Sequence, residues 1–124
     1  AQTLKAALPH AKMSVPSAAP VPFDEALDLP GAPVPVSTPG HTSGHTAYLL
    51  EGAGVLFTGD ALVTGHALLP GPPRPQLLPG VFSEDEAEMV RSLEVLGRLQ
   101  ADVVVPGHGP VAREDVGKIV RDLV

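Results

Sequence analysis

Three times in this chain a short apolar segment runs into a glycine and then into a side chain able to hold a metal ion. The three are Thr38-Pro39-Gly40-His41, Phe57-Thr58-Gly59-Asp60 and Val105-Pro106-Gly107-His108. Imidazole and carboxylate are the groups that zinc, iron or manganese accept at a hydrolytic site. Ligands at strand ends converge along one edge of a sheet, and a preceding glycine lets the backbone turn sharply without a Cβ clash, so each side chain can point at a common centre. Singly, each residue has an ordinary explanation. A loop histidine is usually a surface or hydrogen-bonded group, an aspartate after a glycine is a turn or a cap, and Gly107-His108-Gly109 is a flexible turn. Three occurrences of one arrangement favour a shared metal site built from His41, Asp60 and His108.

The elements that must position these residues are legible from pattern. Val34 to Thr38 suits a short strand, and Thr46 to Glu51 and Val55 to Thr58 are apolar runs flanking Gly52-Ala53-Gly54, a hairpin signature. Ser83 opens a Ser-x-x-Glu capping box with Glu86, which predicts a helix start there, and Met89, Val90, Leu93, Leu96 and Leu99 recur at helical spacing. Asp102 to Val105 reads as a short buried strand, and Val116, Ile119, Val120 and Leu123 form the apolar stripe of a final helix. The order strand, hairpin, helix, strand, helix predicts an α/β (α+β) mixed sheet with both helices on one face. Ala1 to Leu8 could form a short helix, after which Pro9, Pro16, Pro20, Pro22, Pro30 and Pro33 break regular structure. Residues 1–33 are therefore expected as a proline-rich segment and 34–124 as the folded domain. A second proline cluster, Pro70 to Pro79, marks a loop before the first helix. Arg74 in it is expected to be solvated, and His66 ahead of it to be an exposed loop residue.

Composition narrows the function. At 124 residues one domain is the prior, and no apolar run reaches the roughly 18 residues that cross a bilayer. A net charge of −6, with one tyrosine and three phenylalanines to stack bases, argues against nucleic-acid binding. The absence of cysteine removes disulfide and thiolate chemistry, leaves His, Asp and Glu as the strong metal ligands, and makes the cytoplasm the default compartment. No charged region followed by an apolar stretch opens the chain, so no signal peptide is expected. A start at Ala1-Gln2-Thr3, without an initiator Met, suits a processed or excised segment.

The stretches Thr38-Pro39-Gly40-His41-Thr42-Ser43-Gly44-His45, Leu56-Phe57-Thr58-Gly59-Asp60 and Pro106-Gly107-His108-Gly109, in that order, resemble the downstream motifs of the metallo-β-lactamase-fold hydrolases. The likeness covers about residue 34 to the end and points to the hydroxyacylglutathione hydrolase-like branch. It implies half of an αββα sandwich in which the other half packs on the sheet's inner face. It also implies that His41 is a ligand of a first metal, His108 a ligand of a second, and Asp60 the catalytic carboxylate bridging both. Zinc is the metal implied, with iron or manganese as alternatives, and the reaction is cleavage of an ester, thioester, lactone or amide by a metal-activated water. His45 is implied to pack or hydrogen-bond behind His41.

The family's upstream His-x-His-x-Asp-His cluster does not occur, and only His10 lies upstream of the motifs. Three dispersed ligands cannot hold two metals, so the expected state is a C-terminal fragment or split half that is weakly active or inactive alone. Its expected partners are a second copy, as a homodimer, or a complementary N-terminal half, with a small-molecule substrate once complemented. The alternative is a non-catalytic remnant serving as an assembly or regulatory module.

Overall fold

A computed structural model of the protein describes residues 19–124. The expected Ala1 to Leu8 helix and His10 lie outside the described residues. The strands are β1 (Val34–Ser37), β2 (Thr46–Leu50), β3 (Val55–Gly59) and β4 (Val103–Pro106), and the helices are α1 (Glu86–Gly97) and α2 (Val116–Leu123). The expected hairpin is present, with a 3-10 turn over Glu51–Ala53 between β2 and β3. The sheet has the order β1-β2-β3-β4, antiparallel at the first two pairings and parallel between β3 and β4. A parallel pair needs a long crossover. Here the proline-rich loop and α1 make it.

Strand side chains alternate between two faces. One buried row crosses all four strands, with Val34 opposite Leu49, Leu49 opposite Leu56, and Leu56 opposite Val104. Leu93 and Leu96 of α1 and Val116, Ile119 and Val120 of α2 join the same core, so both helices cover that face. On the other face Tyr48 stands beside Phe57 and Phe57 beside Val105, and the two aromatic residues remain 39% and 41% exposed. Ahead of β1, Asp24 N–H donates to Pro35 O and Leu27 N–H to Pro33 O, while Val21, Phe23 and Leu29 stay exposed. Among the described residues no helix is long and apolar enough to cross a membrane.

The first helix differs from expectation at its start. Its cap is Asp85, not Ser83: the Asp85 carboxylate accepts the Glu88 N–H at 3.1 Å, and Ser83 is extended, its hydroxyl against the Met89 sulfur. Two overlapping three-residue spacings compete here, Ser83 to Glu86 and Asp85 to Glu88. An anionic acceptor gains from the helix dipole where a hydroxyl gains less. Val90, expected in the apolar stripe, is 42% exposed, while Ser92 is buried for a reason that belongs to the site. At α2 the Asp115 carboxylate accepts the Lys118 N–H at 2.9 Å.

Candidate functional site

Because β1 and β3 are each antiparallel to β2, and β4 is parallel to β3, strands β1, β3 and β4 all run the same way. Their C-terminal ends lie on one edge of the sheet, and each leads into one of the three glycine-ligand sequences. In open sheets, this edge is where sites are usually built. Gly107 N–H donates to Gly59 O at 2.8 Å, which ties the turn before His108 to the turn before Asp60.

The loop carrying His41 is fastened to α1. Asp85 N–H donates to Gly40 O at 2.9 Å, Glu84 N–H to His41 O at 3.2 Å, and the buried Ser92 hydroxyl to Pro39 O at 2.6 Å. The Glu84 carboxylate accepts the Ser43 N–H at 3.0 Å. Gly40 has a φ of 138° and passes so near the helix that a Cβ there would lie 2.5 Å from the Met89 nitrogen. Only glycine permits both. On the other side, Thr64 N–H donates to His108 O at 3.1 Å and its hydroxyl to Pro110 O, while Val63 and Gln76 form an isolated bridge.

These anchors bring all three sequence-predicted residues together. His41 Nε2 lies 3.0 Å from Asp60 Oδ2 and His108 Nε2 lies 3.3 Å from Asp60 Oδ1. Two atoms bound to one ion at about 2.0–2.2 Å, at angles from square to tetrahedral, stand roughly 3.0–3.5 Å apart. Each pair therefore has the spacing of two ligands of one ion, and the pairs use different carboxylate oxygens. Among the described residues no three histidine or acidic side chains share a single centre. Asp60 stands between the two histidines, with one carboxylate oxygen toward each. Among the described residues the buried His41 Nδ1 has no hydrogen-bond partner, and the close polar contact of that ring lies on the Nε2 side, toward Asp60.

His45 stands behind this hub. Its Nε2 accepts the Asp60 N–H at 3.0 Å, and its Nδ1 lies 2.8 Å from the Thr38 hydroxyl. Burial, and then the neighbouring His41, hold its pKa below the ordinary histidine value, against weaker opposing contributions from Asp60 and Thr38. Between that lowered value and about 6.5, the unfolded chain binds more protons at this residue than the folded one. Folding stability at His45 is therefore complete above pH about 6.5 and is lost as pH falls through that window. Urea midpoints at pH 7.5 and 5.5 check this: the intact chain should lose more than His45→Gln, and an equal loss in both would refute it.

The remaining candidates are placed as follows. His66, expected as an exposed loop residue, is half-buried: its ring centroid is 4.7 Å from that of His108 and 5.8 Å from that of Phe82, and its Nδ1 accepts the Leu68 N–H at 3.1 Å. The bridge between Val63 and Gln76 folds the loop back and carries His66 to the site, a pairing without a local sequence signal. Arg74 is exposed, as expected. Sequence reasoning did not identify Thr38, Thr64, Glu84 or Ser92 as supporting residues. Ser92 alone had a signal, a hydroxyl on the stripe otherwise formed by Met89, Leu93 and Leu96.

Residues 3–108 match the family model described as the metallo-beta-lactamase superfamily. The chain belongs to that superfamily. A hydroxyacylglutathione hydrolase from Shewanella oneidensis is 41% identical over 82 residues, 64% of this chain and 26% of that protein. An atrochrysone carboxyl ACP thioesterase from Aspergillus fumigatus is 33% identical over 88 residues, 71% of this chain and 24% of that protein. Of solved structures, the metallo-beta-lactamase family protein TTHA1429 from Thermus thermophilus superposes with a TM-score of 0.59 at 31% identity, over 83% of this chain and 33% of that one. TTHA1623, solved in a di-iron-bound form, gives 0.54 at 28% identity, over 98% of this chain and 57% of that one. The chain spans about a quarter of the length of these two curated relatives.

Proposed function

We propose that this chain supplies the C-terminal half of a dinuclear metal-dependent hydrolase that cleaves an ester, thioester, lactone or amide, with zinc as the resident metal. The observation that carries the reading is the Asp60 carboxylate, one oxygen toward His41 and the other toward His108. A carboxylate so placed would be able to serve two ions of a dinuclear hydrolytic centre. Asp60 would hold both ions and offset part of their charge, while His41 and His108 would each supply one neutral donor. When bound, such ions lower the pKa of water enough to give a nucleophile near neutral pH. His66 and Phe82 flank the His108 side of the site, where a substrate would approach.

The rest of each coordination sphere would come from a His-x-His-x-Asp-His segment on a complementary half. A thioester is the substrate class we favour, because the similarity extends to a hydroxyacylglutathione hydrolase and an ACP thioesterase. Iron is the alternative metal, since the relative TTHA1623 carries two iron ions. Lack of cysteine suits a reducing cytoplasm. A second reading, a non-catalytic half-fold used in assembly, is favoured by the absence of a three-ligand centre among the described residues.

A thioester hydrolysis assay separates the two. The lone chain should hydrolyse at the buffer rate, and adding a chain that carries the missing cluster should produce turnover that Asp60→Ala abolishes. Efficient hydrolysis by the lone chain would overturn the half-site reading. A complex that forms, binds zinc and stays inactive on thioester, lactone and amide substrates would favour the assembly role.

A further inference from the structure

We propose that His45 is a positioning residue for Asp60: held as the Nδ1–H tautomer, it accepts the Asp60 amide hydrogen and fixes the turn from which that carboxylate projects. The directions of the hydrogen bonds leave one arrangement. A backbone N–H can only donate, so His45 Nε2, 3.0 Å from the Asp60 nitrogen, is the acceptor. A neutral imidazole with an unprotonated Nε2 carries its proton on Nδ1. That proton is donated to the Thr38 hydroxyl at 2.8 Å, and the hydroxyl hydrogen then has the His45 carbonyl oxygen, 3.4 Å away, as its acceptor. Thr38 is 1% exposed, and its own N–H also donates to His45 O at 3.0 Å, so the end of β1 and the His45 ring grip each other from both sides.

The glycine before Asp60 points to the same contact independently. Gly59 has a φ of 53°, and a Cβ there would lie 2.6 Å from His45 Nε2. Only glycine both adopts this turn without strain and lets the ring reach the next amide. The result is a strut from the interior end of β1 to the backbone of Asp60, across fifteen residues of sequence. It leaves the carboxylate free to face His41 and His108 while removing the freedom of its Cα. Supporting groups of this kind typically change metal affinity 10- to 100-fold when removed. The consequence for metal binding rests on the reading of Asp60 as a ligand. The strut itself does not.

Nitrogen chemical shifts of the histidine rings, measured on the intact metal-free chain near pH 7.5, read the tautomer directly. His45 is expected as neutral Nδ1–H; an Nε2–H ring, or one averaging between the two forms, overturns the proposal. Thr38→Val removes the acceptor and Thr38→Ser keeps it. The valine variant should show mixed tautomers and bind cobalt(II) about 10- to 100-fold more weakly, and the serine variant should retain both properties. Unchanged cobalt affinity in a folded Thr38→Val protein would overturn the positioning role. If the intact chain bound no cobalt, the metal reading would fail, and the tautomer would still decide whether the strut exists.

Discussion

Asp60→Ala is expected to weaken divalent-ion binding by at least about 100-fold, close to 2.8 kcal/mol, and by more than either His41→Ala or His108→Ala. The reason is position and charge together. Asp60 is the one anionic member of the three and makes both close contacts, at 3.0 Å and 3.3 Å, through different oxygens. Removing either histidine leaves the other pair in place, whereas removing the carboxylate breaks both pairs and discards the one negative charge among the three. Asp60→Asn, which keeps the shape and loses the charge, should fall close to the alanine variant. Competition between the protein and a chelating dye for cobalt(II) would measure the series. Equal losses for all three alanine variants, or none for Asp60→Ala, would remove Asp60 from the centre of the site.

The sheet face opposite the helices, uncovered among the described residues, is expected to drive association. Across it Tyr48, Phe57 and Val105 form one row, and Leu50, Val55 and Val103 the next. Contiguous apolar patches beyond a few hundred Å² usually mark interaction surfaces. Covering about 500 Å² would contribute roughly 12 kcal/mol at about 25 cal/mol per Å², against about 4–15 kcal/mol lost on association. The balance predicts a concentration-dependent dimer, with two-fold stacking as its simplest form. Among the described residues ahead of β1, Val21, Phe23 and Leu29 are exposed, as are Tyr48 and Phe57 of the sheet face. A complementary half would use the same face and should displace the second copy. Light scattering after size exclusion should show the dimer for the intact chain and a monomer for Tyr48→Lys with Phe57→Lys. A monodisperse intact monomer that binds no hydrophobic dye would contradict this.

What the sequence disclosed, and what it did not, divides along the range of the interactions. The apolar runs at Thr46 to Glu51 and Val55 to Thr58, flanking Gly52-Ala53-Gly54, and the helical spacing of Met89, Leu93 and Leu96, are local signals, and the elements form where those signals lie. The three glycine-ligand sequences were legible because each sits at a strand end, and strand direction alone carries them to one edge. The cap of α1 was misread because Ser83 and Asp85 offer the same spacing, and the choice depends on charge at the helix end. The contacts that hold the site were least legible. Ser92 bonds to Pro39, Thr64 to Pro110, and the Asp60 amide to His45, over separations from fifteen to fifty-three residues, and no local pattern specifies such partners. His66 was misjudged for the same reason, since the bridge between Val63 and Gln76 that brings its loop to His108 has no signature in composition.

The number of zinc ions held per chain tests the half-site most directly. Isothermal titration of the intact chain should give no more than one ion per molecule, weakly held, and more weakly in acid because metal binding has to displace protons from its ligands. With a chain carrying the His-x-His-x-Asp-His cluster present, the same titration should give two ions, both tight. Two tight ions bound by this chain alone would contradict the half-site, because His41, Asp60 and His108 do not share one centre and cannot by themselves complete two.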